Sequence, residues 1–121
     1  MTPDMLWRRY AAIWSLDAEA RGSELAACLA EDVTYCDPNG LIEGQAALSA
    51  YMGGFQQSAP GGAFHIRAVL HHHGRSISHW TLQGPDGAAL QTGTSFSLLA
   101  EDGKFQTISG FFHAPGGDEL R

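Results

Sequence analysis

Ala30-Glu31-Asp32-Val33-Thr34-Tyr35-Cys36-Asp37-Pro38-Asn39-Gly40 is the stretch whose reading decides the fold. It leaves a helix, runs as a brief strand and stops at an Asn-Gly turn. Side chains alternate along a strand, so Val33, Tyr35 and Asp37 share one face while Thr34 and Cys36 share the other. A carboxylate thus follows two bulky side chains onto one surface. If that surface is the buried one, Asp37 stands at the edge of a low-dielectric space, the setting of a proton acceptor. The competing reading is an Asx-type turn, with Asp37 accepting from the amides of Asn39 or Gly40 after Pro38 has fixed the backbone.

Upstream, Thr2-Pro3-Asp4 combines a hydroxyl N-cap, a proline at the first helical position and an acid in the first turn. Leu6, Tyr10, Ile13 and Trp14 recur at helical spacing behind it, with Trp7 and Ala11 alongside. Gly22-Ser23 is read as the end of this region and the start of a shorter helix carrying Leu25, Cys28 and Leu29. Downstream, Leu41 and Ile42 lead into a third helix whose apolar set is Leu48, Tyr51, Met52 and Phe55. Ser58-Ala59-Pro60-Gly61-Gly62 ends that helix, and the period changes.

From Ala63 the sequence reads as strands: Ala63 to Leu70, Arg75 to Leu82, a long strand around Leu90 to Leu98, and Phe105 to Phe112. In the long strand Leu90, Thr92, Thr94, Phe96 and Leu98 alternate with Gln91, Gly93, Ser95 and Ser97, which gives one face that is apolar apart from two threonines. Helices followed by strands predict an α+β domain, three N-terminal helices packed on a curved, mostly antiparallel sheet. One domain spanning 1–121 is expected, with residues 114–121 a flexible tail.

Composition narrows the function. The 121 residues are 44% apolar and carry seven Lys and Arg against thirteen Asp and Glu, a formal charge of −6. That balance repels phosphate backbones and anionic lipid, so neither nucleic acid nor a membrane is an expected partner. Without a basic, apolar leader the chain is expected in a cytoplasm. Charged residues make up 17%, below the average of about 25%, which favours a surface buried between subunits. Cys28 and Cys36 read as small buried hydrophobes rather than a disulfide.

The order helix, helix, strand ending in Asp-Pro, helix, four strands resembles the cone-shaped fold of the nuclear transport factor two-like superfamily, and within it SnoaL-like domains and ketosteroid isomerases. The stretch from Ala30 to Gly40 followed by Glu43-Gly44 is similar to the family's strand and turn. Arg9-Tyr10 matches an Arg-Tyr pair on the first helix of the isomerases, and Ile66-Arg67-Ala68-Val69 resembles a third-strand segment. The resemblance implies a proton-shuttling aspartate at Asp37 and a tyrosine at Tyr10 that hydrogen-bonds a developing enolate. It aligns Thr94 where those isomerases carry a second acid, and Trp80 with a pocket-facing aromatic. It also implies a homodimer.

Trp14, Met52, Phe55, Trp80, Thr94 and Phe112 are therefore the expected walls of a pocket for a small apolar, oxygen-bearing molecule. Asp37 as base and Tyr10 as donor would hold a carbonyl and remove the adjacent proton, in isomerase, cyclase or lyase chemistry that needs no metal or cofactor. The other reading is a non-catalytic module for ligand binding or dimerisation. His71-His72-His73 reads as a solvated turn, since neighbours on a strand point to opposite faces. The register that would decide which way His65, His79 and His113 face is not fixed by the sequence.

Overall fold

The computed structural model describes residues 1–113, so the tail expected at 114–121 lies outside the described residues. Helix α1, Pro3–Ile13, starts as the sequence predicts: the Thr2 side chain accepts from the Met5 amide at 3.1 Å. Its buried face carries Leu6, Trp7, Tyr10, Ala11 and Ile13. Helix α2, Ala18–Cys28, is capped by Asp17, which accepts from the Ala20 amide. It runs straight through Gly22-Ser23, correcting the break expected there. A mid-helix glycine costs only about 1 kcal/mol, and burial of Leu25 and Cys28 on the core side of the same helix offsets it.

Strand β1, Leu29–Asp37, follows α2 with no intervening loop. Leu41 and Ile42 are not an approach to a helix, as the sequence suggested. They lie in strand β2, Gly40–Glu43, which pairs back on β1 with Asp37 opposite Gly40. Pro38-Asn39 is thus a two-residue hairpin turn. Helix α3, Gln45–Ser58, follows, and then the meander of β3 (Ala63–His72), β4 (Arg75–Gln83), β5 (Ala89–Leu99) and β6 (Phe105–Phe111). The sheet order is β2-β1-β6-β5-β4-β3, antiparallel except where β1 meets β6. The three helices cover the concave face, and Trp7, Ile13, Leu25, Leu48, Met52, Phe105 and Ile108 form the core between the layers.

The helices are joined by polar contacts beneath the surface. Arg21 is buried, and its guanidinium donates to the Leu16 carbonyl, Ser49 Oγ and Gln56 Oε1. Gln56 in turn donates to the carbonyls of Trp14 and Leu16. These bonds fix the end of α1 against α3, which matters because both elements line the cavity described next. No helix among the described residues is long and apolar enough to cross a membrane.

Candidate active site

Between the helices and the concave sheet face lies a cavity of about 170 Å³. The three tyrosines and three tryptophans of the chain, Tyr10, Tyr35, Tyr51, Trp7, Trp14 and Trp80, all line it. Phe55, Phe64, Ile66 and Phe112 add apolar wall, and Asp37 supplies its one carboxylate. Aromatic edges and faces meet around the space: Trp14 contacts Tyr35, Tyr51, Phe55 and Phe64 with ring centroids 5.3–6.2 Å apart.

Asp37 reaches the cavity by the alternation of β1, on the same side as Val33 and Tyr35. Its carboxylate meets both the cavity and the turn. Oδ1 accepts from the Asn39 amide at 2.8 Å, the Asx-type contact, while the rest of the carboxylate is turned to the phenols. Tyr35 donates to Oδ2 at 2.6 Å. Tyr51, midway along α3, shares its hydrogen between Oδ1 at 2.8 Å and Oδ2 at 2.9 Å. Three donors on a carboxylate with about four acceptor sites leave little capacity spare.

Tyr35 and Tyr51 are the partners of Asp37 that sequence reasoning passed over. Tyr35 lies two residues from Asp37 on the same strand face, but counts there only as bulk. Tyr51 sits in the apolar rhythm of α3, where a phenol is hard to distinguish from a core aromatic. Tyr10, the expected partner, lines the cavity with its hydroxyl buried and without a hydrogen-bond partner among the described residues. Burial pushes its phenol up, with the neighbouring Trp14 indole acting in the opposite direction. Tyr35 is raised by burial, then by Tyr10 nearby and by its bond to Asp37; Tyr51 is raised by burial and by the same carboxylate. All three phenols are therefore held protonated.

Of the other expected wall residues, Trp14, Phe55, Trp80 and Phe112 line the cavity. Met52 does not: it is fully buried in the core behind the wall. Thr94 is a correction of register. It faces the outer side of the sheet, where its Oγ1 lies 2.9 Å from His79 Nδ1. The inward residues of β5 are Gln91 and Ser95, which line the cavity, and the fully buried Ser97. The reason is packing: Gly93 lies against the Trp80 indole, where an added Cβ would come within 2.2 Å of Cζ2, and Ser95 Oγ accepts from Trp80 Nε1 at 3.0 Å. A bulky apolar face would collide with that indole. The indole also needs an acceptor, which serine supplies.

Arg9 leaves the site, donating through two nitrogens to Glu24 at 2.8 Å on the exposed side of α1 and α2. His71, His72 and His73 are exposed around the β3–β4 turn, where His73 and Gly74 take φ of 48° and 74°. No cluster of three metal-ligating side chains occurs among the described residues. His79 faces outward with Thr94, and His65, cross-strand from Thr81, is exposed. Both cysteines are free, and burial pushes the Cys28 thiol up to about 11, which leaves it unreactive.

The helix order, the curved sheet and the polar residue at the end of β1 together point to one family, and a family model of the SnoaL-like domain matches residues 7–108. The chain belongs to the SnoaL-like family. Among solved structures this SnoaL-like protein is similar to a candidate isomerase of the same family from Agrobacterium tumefaciens, with 28% identity and a TM-score of 0.86 over 94% of this chain and all of that one. A candidate ketosteroid isomerase from Kribbella flavida shares 23% identity over 98% of this chain and 85% of its own, at a TM-score of 0.68. A candidate polyketide cyclase from Sinorhizobium meliloti shares 12% over 87% and 92%, at 0.69. The last two establish the fold alone. No curated protein matches the chain.

Proposed function

We propose that this SnoaL-like protein binds a small apolar, oxygen-bearing molecule in its aromatic cavity and catalyses cofactor-independent proton transfer on it, with Asp37 as base and Tyr10 as donor. The observation that carries the reading is the pairing of a carboxylate and an unpartnered buried phenol on the wall of one apolar cavity. A buried hydroxyl left unpaired costs about 1–3 kcal/mol, and a substrate oxygen beside Tyr10 recovers that cost. The phenol then donates to charge as it develops on the oxygen. Tyr35 and Tyr51 orient the carboxylate. The shared, bifurcated bond from Tyr51 is the one most readily surrendered when Asp37 takes a proton.

Size limits the substrate. An engineered cavity of about 150 Å³ holds benzene, so 170 Å³ suits one substituted ring or a short branched chain, and a four-ring steroid would have to extend through the mouth. The test is solvent deuterium exchange at the methyl group of 4-hydroxyacetophenone, followed by proton NMR. Asp37→Asn is expected to slow the protein-dependent exchange by about 10²–10⁴-fold, the usual worth of a general base. Tyr10→Phe is expected to slow it less.

The non-catalytic reading has its own support, since the turn amide and two phenols already occupy Asp37. In that case the ketone binds but its exchange equals the protein-free rate. A homodimer through the outer sheet face belongs to the same proposal. Leu41, Leu98 and Phe111 stand exposed there beside Ile77 and Phe96, and a second copy would cover them.

A further inference from the structure

Among the described residues, two buried side-chain polar atoms lack a hydrogen-bond partner: the Tyr10 hydroxyl and Ser78 Oγ. Both line the same cavity. Tyr10 has a role in the reading above, whereas Ser78 has none. It is fully buried, on the inner face of β4. Its neighbours on that wall are already occupied: Ser76 Oγ accepts from Trp7 Nε1 at 2.7 Å, and Ser95 Oγ from Trp80 Nε1 at 3.0 Å. The bond Ser95 accepts leaves its own proton to donate.

The register places these groups in one row. Ser78 pairs with Ser95, and Ser95 with Gly110. Gly110 adjoins Asp37: a Cβ on Gly110 would lie 3.6 Å from Asp37 Cβ and 3.6 Å from Ser95 Oγ. The missing side chain at Gly110 keeps open a lane across the concave face, from the carboxylate on β1 to the serines on β5 and β4. Three strand spacings separate Asp37 from Ser78, about 14 Å along the sheet and less across the chord of its curve. A six-membered ring spans such a gap when it carries an acyl group at one end, with the C–H to be removed against Asp37, and an oxygen at the other, about 2.8 Å from Ser78.

We propose that Ser78 is a specificity-determining residue, the second polar pole of the cavity, and that the ligand is a single ring carrying an oxygen function at the end opposite the reacting carbonyl. This rests on the ligand-binding reading of the cavity. The hydroxyl of Ser78, with Ser95 beside it, meets the distal oxygen. A ligand with a methyl group there leaves Ser78 unpaired, and a site built to hydrogen-bond a hydroxyl rejects an analogue lacking it more strongly than it rejects a missing methylene.

The test compares dissociation constants of 4-hydroxyacetophenone and 4-methylacetophenone, nearly equal in shape, by NMR titration of the full chain and of Ser78→Ala and Ser76→Ala. The full chain is expected to favour the hydroxyl compound about tenfold. Ser78→Ala should bring that ratio close to one while keeping affinity for the methyl compound. Ser76→Ala, which removes the Trp7 acceptor, should lower stability and leave the ratio unchanged. Equal affinities in the full chain, or a preference that survives Ser78→Ala, would overturn the second pole and leave the pocket reading standing. Failure of both ketones to bind the full chain would overturn both.

Discussion

At the level of single residues, the site depends on how three phenols share one carboxylate. Tyr35 and Tyr51 give their hydrogens to Asp37, and Tyr10 keeps its own. All three are raised by burial before any other cause. Their folded values lie above the unfolded value of about 10, so the stability they contribute is complete below about pH 10 and is lost as pH rises through the folded values, because the unfolded chain releases its phenolic protons first. With no tyrosine outside the site, phenolate absorbance reports on it alone. No phenolate should appear in the native protein at pH 10, and on raising the pH further it should appear together with loss of the near-ultraviolet circular dichroism. A tyrosine titrating near pH 10 in the folded protein would contradict the burial of this cluster. The position of Asp37 was legible in the sequence from strand alternation alone. Its phenolic partners were not, since a tyrosine among leucines and methionines carries the same periodic signal whether its hydroxyl is used or spare.

Elements were legible where a cap or a long period marks them, and less so where packing decides. Thr2-Pro3-Asp4 starts α1 as predicted because the local chemistry is sufficient there. The path of α2 through Gly22 depends on core contacts of Leu25 and Cys28 that no local rule contains. Strand β5 is the most instructive case. Its more apolar set, including Thr94, Phe96 and Leu98, lies on the outer face, while Ser95 and Ser97 turn to the core. Alternation gives two faces without saying which is buried, and here the Trp80 indole selects the small, polar one. Gly93 makes this possible. Gly93→Ala would drive a Cβ to 2.2 Å from Trp80 Cζ2 and 2.8 Å from the Phe111 carbonyl oxygen, so the indole has to move. A loss of about 1–3 kcal/mol in urea unfolding is expected, with a shift in tryptophan emission from the altered wall. Unchanged stability and emission would mean that the indole does not lie over β5.

For the whole molecule, the fold was legible because element order alone restricts an α+β chain of this length to few architectures. The resemblance to the SnoaL-like family agrees with the match over residues 7–108 and with the Agrobacterium tumefaciens structure at a TM-score of 0.86. What element order leaves open is what the outer sheet face meets. Phe111, 63% exposed at the centre of that face, is the place to ask. Sedimentation equilibrium should give twice the chain mass for the parent and a single chain mass for Phe111→Lys. A monomeric parent would mean that the outer face does not pair with a second copy.

Entry of a small ketone into the aromatic cavity beside Asp37 can be followed at the three tryptophans. All three side chains line the cavity, so a nitrogen-15 NMR titration of their indoles with acetophenone follows three signals around the same space. Saturable shifts of the Trp14 and Trp80 indoles are expected, accompanied by shifts of the backbone amides of Asn39 and Gly110. Indoles that remain still at millimolar ketone, or shifts confined to the outer face around Thr94 and Phe111, would contradict entry into the cavity.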